Sequence, residues 1–169
     1  MSRIAIIGTV GVPACYGGFE TLVENLLDDA ETAHVITVYC SSKSYDNKIA
    51  NYKNAQLHYI PLSANGASST PYDIWSLLHA VYKGTDNILI LGVSGTICLP
   101  FIRLFSKTKI VTNIDGLEWR RDKWGAFAKR FLKFSEKLAV KYSDTVIADN
   151  QAIADYVSQE YGVVSEVIA

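Results

Sequence analysis

The chain has 169 residues, 49% of them hydrophobic and 20% charged, with a formal net charge of −1. That length and apolar content predict one domain with a substantial core, and the balanced charge excludes a general electrostatic attraction to nucleic acid. Cys15, Cys40 and Cys98 lie too far apart for a zinc clamp, and no apolar run approaches the ~20 residues that span a bilayer, so the expectation is a cytoplasmic protein with reduced thiols and no metal.

The first apolar run, residues 4–7, is read as a strand and is too short for the core of a signal peptide. It leaves through Gly8, Gly11 and Pro13 and reaches Gly17-Gly18 at the head of a helical pattern over residues 18–30. Further β-branched, apolar runs recur at 35–39, 57–60, 88–91, 110–112, 145–148 and 163–168. Most are continuous rather than alternating, the pattern of strands covered on both faces of a parallel sheet. Helical patterns over 72–83, 95–106, 125–142 and 150–161 lie between them. Pro71 and Gly84 bracket the first of these, Ser94-Gly95 opens the next, and Asp149-Asn150 offers capping oxygens to the last. Residues 63–71, SANGASSTP, read as a flexible loop. Strands alternating with helices predict right-handed crossovers and a Rossmann-like, doubly wound, mainly parallel α/β sheet. The closing VVSEVIA starts a strand with no helix after it, so residues 1–169 are expected to form one Rossmann-like N-terminal domain whose C-terminal partner domain is missing from this chain.

In such a sheet the first strand-to-helix turn lies at the carboxyl edge, where helix N-terminal amides favour anions. Gly17 and Gly18 are therefore candidate donor-phosphate contacts. The spacing of Gly8, Gly11 and Gly17-Gly18 is not that of a dinucleotide fingerprint, no carboxylate closes the second strand, and no GK[ST] marks a Walker loop. A turn with no ligand stays open as the alternative. Glu20, in the first helical turn, either complements the helix dipole or orders the loop and meets a sugar hydroxyl.

The second charged constellation is NIDGLEWRRDKW, residues 113–124, again at the carboxyl edge. Asp115 and Glu118 are candidate catalytic carboxylates able to position or deprotonate a hydroxyl, and Arg120 and Arg121 are candidates for gripping phosphate or ordering the acceptor loop. A loop knitted by its own salt bridges is the competing reading. Residues 119–141 carry eight of the sixteen Lys and Arg and only two of the seventeen Asp and Glu. Lys129, Lys133, Lys137 and Lys141 repeat every four residues as a candidate membrane-facing stripe, while Phe127, Phe131, Phe134 and Leu138 are expected to face the core. His34, His58 and His79 show no ligand spacing and are read as structural.

The strand, Gly-rich loop and GGFE helix start resemble the opening of the large retaining glycosyltransferase family with the GT-B fold. PACYGGFETLVENL, NIDGLEWRRDKW and DTVIADNQAI are together similar to the N-terminal domain of bacterial rhamnosyltransferase-type enzymes of polysaccharide assembly. The resemblance implies one half of a GT-B architecture, with the acceptor held here and most of the nucleotide-sugar held by the C-terminal domain. It implies transfer of a deoxyhexose such as rhamnose, from dTDP-rhamnose, to a lipid-linked saccharide in cell-surface polysaccharide synthesis, with no cofactor and with anomeric configuration retained. Gly17 and Gly18 match the loop that approaches the donor diphosphate, and Glu20 matches the motif glutamate. Where many relatives carry a histidine after the fifth strand, this chain has Asn113-Ile114-Asp115, which makes Asp115 the candidate replacement. The fragment alone is then expected to be inactive, and the enzyme to sit in the cytoplasm, peripheral at the inner face of the membrane. A nucleotide-sugar epimerase of the same architecture, and a non-catalytic module that binds a nucleotide or lipid headgroup, are the rival readings.

Overall fold

A computed structural model of the chain describes residues 1–30 and 33–168. Its strands are β1 (Arg3–Ile7), β2 (Val35–Ser41), β3 (Asn51–Tyr52), β4 (Ala55–Ile60), β5 (Asn87–Leu91), β6 (Lys109–Ile114), β7 (Thr145–Ala148) and β8 (Glu166–Val167). They form one sheet in the order β3-β4-β2-β1-β5-β6-β7-β8, parallel throughout except where β3 turns back on β4. The helices are α1 (Gly18–Asp29), α2 (Ser69–Tyr82), α3 (Leu99–Phe105), α4 (Ala126–Tyr142) and α5 (Gln151–Tyr161). This is the Rossmann-like doubly wound α/β fold that the alternating pattern predicts.

The chain winds leftward from β1 to β2 and then crosses over to build rightward from β5. Right-handed connections put helices made in opposite directions on opposite faces. Side-chain alternation confirms the division: Ile6, Ile36 and Val38 pack with Val23 and Leu27 of α1, whereas Ala5, Ile7, Ile88, Ile90 and Ile110 pack under α2 and α3. Ile114 and Val146 share the second face with Leu132 and Ala139 of α4 and Val157 of α5. Helix α1 thus stands alone on its face, while α2 to α5 line up on the other. Helix α1 reaches β5 through Leu91, and among the described residues no helix covers the same side of β6 to β8.

Local chemistry accounts for most boundaries. Asn150 caps α5 by accepting a bond from the Ile153 amide at 3.1 Å, and Gly162 ends it at φ +68°. Several expectations need correction. Helix α2 begins at Ser69, so the second half of SANGASSTP is helical, and Pro71 in the first turn costs no bond because amides there have no intrahelical partner. The pattern over 95–106 becomes a 3₁₀ turn, Thr96–Cys98, before the short α3. The closing strand contains only Glu166–Val167, and the two-residue β3 has too little sequence to show a period. Among the described residues no helix is long and apolar enough to cross a membrane, and no cluster of three or more His, Cys, Asp or Glu is arranged to hold a metal.

Candidate functional site

Strand β1 exits at Gly8 with φ +94°, and a Cβ there would run into the Leu91 carbonyl oxygen, so only glycine lets the backbone pass this close to the end of β5. The loop from Thr9 to Gly17 is then gathered around one carboxylate. Glu20 is buried; its Oε1 accepts bonds from the Thr9 hydroxyl at 2.8 Å and the Val10 amide at 2.7 Å, and its Oε2 accepts from the Gly17 amide at 2.7 Å. The last contact is the reciprocal half of a capping box, in which the third helical residue reaches back to the cap. With all three donors inside the loop, Glu20 acts as its fastener. Farther along α1, Glu24 accepts from the Ala14 amide at 2.9 Å and the Tyr52 hydroxyl at 2.8 Å, and these bonds hold its carboxyl below the usual carboxylate range. Pinned in this way, the loop leaves the first amides of α1 without intrahelical partners, and a Cβ on Gly18 would meet nothing within 4 Å.

Opposite lies the segment after β6. Glu118 accepts from Arg121 Nε at 2.8 Å, Lys123 Nζ at 2.9 Å and Trp124 Nε1 at 3.0 Å, so its carboxylate is committed to its own loop. Asp115 has a single distant partner, Arg121 at 3.9 Å. Burial, followed by the negative charge of Asp149, holds the Asp115 carboxyl above the usual range. The two arginines diverge: Arg121 faces the cleft, whereas Arg120 lies 4.9 Å over the Trp119 ring and 5.6 Å over that of Tyr156. They do not form a paired phosphate grip.

Both segments open into one cavity of ≈ 1200 Å³ at the carboxyl edge of the sheet. It brings together Gly17, Gly18, Glu20, Asp115, Glu118 and Arg121, and leaves out Arg120, Lys129, Lys133, Lys137 and Lys141. One end is polar; the other runs over the helix-free side of the sheet, between Leu22 and Leu26 of α1 and Leu89, Ile147 and Ile168.

The lysine repeat does not form one stripe. Four residues advance an α-helix by about 400°, so the row drifts about 40° per step, and its first members swing toward the packed side. Lys133 turns inward: its ammonium lies 3.0 Å from Glu160, bonds the Tyr156 hydroxyl, and sits 4.8 Å over the Trp119 ring. It is not membrane-facing. Lys129 leans toward Asp122 at 3.9 Å, while Lys137 and Lys141 are exposed. The aromatic stripe also differs from expectation. Phe127 and Phe134 are 85% and 52% exposed, and the buried face of α4 is instead Leu132, Ser135, Glu136, Ala139 and Val140.

Five groups escape sequence reasoning. Buried Glu136 accepts from Trp119 Nε1 at 3.1 Å and from the Tyr156 and Tyr161 hydroxyls at 2.6 Å each, tying the charged loop to α4 and α5. Asp73 resembles an ordinary helix acid, yet it is buried beneath the cavity wall, where it accepts from the hydroxyl of cavity-lining Ser94, and burial pushes its carboxyl up to about 7. Asn113 is buried at the end of β6 with its Oδ1 unpartnered. Asp149 also lines the cavity, although the sequence marks it only as part of a helix cap. His58 and His79, distant in sequence, stack at 4.1 Å, and the Tyr39 hydroxyl lies 2.8 Å from His79 Nδ1.

Comparison with known families matches residues 1–169 to the family described as "Domain of unknown function (DUF1972)". Among curated proteins nothing matches. Among solved structures, sucrose-phosphate synthase from Thermosynechococcus elongatus superposes with a TM-score of 0.69 at 13% identity, over 99% of this chain and 47% of that one. The likeness is one of fold, one half of a GT-B architecture, and the chain spans about half the length of that protein.

Proposed function

The chain belongs to the DUF1972 family, and from that premise we propose that it is the acceptor-side half of a glycosyltransferase that moves a deoxyhexose such as rhamnose from a nucleotide diphosphate to a lipid-linked saccharide. One observation carries the reading: the open amino end of α1 and the Asp115 carboxyl share a single cavity at the carboxyl edge of a parallel sheet, where this fold class holds its ligands. The resemblance of the glycine-rich and NIDGLEWRRDKW segments to rhamnosyltransferase-type enzymes supports the choice of sugar.

The cavity divides the work by charge. Asp115, Glu118 and Asp149 face Arg121 and Lys123, and both cations are already engaged by Glu118. This balance suits a neutral saccharide, whose hydroxyls donate to the free carboxylates, better than a second anion. The donor diphosphate approaches the amides of α1 across Gly18, where backbone dipoles favour negative charge. Its remaining charge requires cations from a donor-binding domain, which we place in the rest of the protein. In the transfer step an acceptor hydroxyl oxygen bonds to the anomeric carbon, the bond from that carbon to the diphosphate oxygen breaks with its electron pair leaving on the diphosphate, and the hydroxyl proton passes to Asp115. Asp73 accepts the Ser94 O–H behind the cavity wall, which leaves Ser94 Oγ to accept a hydrogen bond from a sugar hydroxyl.

The test is transfer by the full-length enzyme, with a panel of nucleotide-sugars including dTDP-rhamnose and a lipid-linked saccharide acceptor. Gly18→Asp fills open space and places a carboxylate where the diphosphate approaches, so it should abolish transfer with the melting temperature unchanged. Transfer with none of the donors, or full activity in folded Gly18→Asp, overturns the reading.

A further inference from the structure

Helices α2, α3 and α4 form the outer layer on one side of the sheet, and this layer has an unusual surface. Trp75, Leu78 and Tyr82 project from α2 at spacings of three and four, and Phe101, Leu104 and Phe105 project from α3. All are exposed; Tyr82 reaches 84%, and Leu104 and Phe105 reach 76% each. The two helices are adjacent, since Leu77 and Ala80 share a core cluster with Leu99 and Ile102. Phe134 adds a 52% exposed ring from α4, which is joined to α3 by bonds from Arg103 to the Tyr142 carbonyl and to Asp144. Soluble monomers rarely leave so many large apolar side chains on neighbouring helices in water. None of these residues lines the cavity.

The charge pattern identifies the partner. The only carboxylates within α2, α3 and α4 are Asp73 and Glu136, and both are buried. The exposed charges on the helices themselves are cationic, Arg130, Lys137 and Lys141 on α4, while the turns that follow carry both signs: Lys83 and Asp86 after α2, Lys107 after α3 and Asp144, paired with Arg103, after α4. A second copy docked through this same face would set these cations against their own counterparts, which is unfavourable. Helices that interleave aromatic and aliphatic side chains with lysine and arginine, and expose no acid of their own, match the boundary of an anionic bilayer, where rings enter the headgroup region and ammonium groups meet lipid phosphates.

We propose that the outer layer of α2, α3 and α4 is a membrane-docking face for anionic lipid. It replaces the lysine row of α4 as the membrane contact, keeping Lys137 and Lys141 and adding the aromatic residues of α2 and α3. The inference does not depend on the transfer reading, because its test involves no nucleotide-sugar.

The experiment is flotation of the protein with vesicles of pure phosphatidylcholine and with vesicles containing phosphatidylglycerol. The expected result is binding only to the phosphatidylglycerol vesicles, weakened by raising salt from 50 to 500 mM, roughly a change from weak to strong screening. Lys137→Gln/Lys141→Gln should lower the partition coefficient about thirtyfold, given the usual contribution of a basic side chain at an anionic surface. Lys43→Gln/Lys48→Gln, two exposed lysines outside the layer with the same loss of charge, should leave it unchanged. Phe101→Gln/Leu104→Gln/Phe105→Gln should abolish binding at low salt. Failure of the wild type to bind, equal losses in the two lysine pairs, or an oligomer in sedimentation that the α3 triple variant dissolves without any vesicle binding would overturn the proposal.

Discussion

Replacing Asp73 with Asn tests whether a buried carboxyl lies behind the cavity wall. Its carboxyl is pushed from the ordinary 3.8 up to about 7 because burial penalises the charge, against a smaller opposing effect of the Ser94 hydroxyl. A group whose folded value is raised contributes stability that is fully present below the unfolded value and is lost as pH rises through the folded one. Over this interval each pH unit costs the wild type about 1.4 kcal/mol, about 4 kcal/mol in all. The Asn variant holds no such proton, so its stability relative to wild type should grow by about 3 kcal/mol between pH 5 and pH 8, with most of the gain below pH 7. Urea unfolding followed by circular dichroism at each pH unit measures the difference, and histidines present in both proteins cancel from it. A difference that stays constant with pH would refute the placement of Asp73 as a buried carboxyl.

Two further outcomes follow from the geometry. Glu20→Gln leaves one acceptor oxygen where two served three donors, and should cost about 2 kcal/mol in urea titration while opening residues 9–17 to proteolysis. The stacked His58 and His79 are both held below 6.5, chiefly by burial, with the neighbouring imidazole acting on His58 and Lys83 acting on both. The unfolded chain therefore binds protons more readily, so the stability present above pH 6.5 is lost as pH falls through the lower folded values; His58→Phe should flatten the acid limb of a melting-temperature profile, and an unchanged limb would exclude the pair as its source.

Much of the fold was legible because its elements are continuous apolar runs separated by helical periods, and the order of the crossovers follows from handedness. The carboxyl-edge location of Gly17-Gly18 and Asp115 followed from the same topology. Side-chain direction was less accessible. An exact four-residue repeat looks like a stripe on paper, but the drift of a real helix turned Lys133 onto Trp119; Phe134 follows the helical period and is still in solvent, because α4 packs through Leu132, Ser135, Glu136, Ala139 and Val140. Asp73 and Glu136 were invisible because each stands in a helix as an ordinary acid, and only tertiary packing buries it against partners 21 and 17 residues away. Glu118 and Arg121 show the reverse case: their proximity in sequence is enough to knit the loop, which leaves Asp115 as the freer carboxylate.

The central claim is that Asp115 receives the acceptor proton in a cavity shared with the amino end of α1. The measurement that tests it most directly is steady-state transfer by full-length Asp115→Asn, with donor and acceptor varied separately. The expected kcat is lower by about 100-fold or more, with donor KM nearly unchanged and the melting temperature preserved. A folded Asp115→Asn enzyme turning over within twofold of wild type would contradict it.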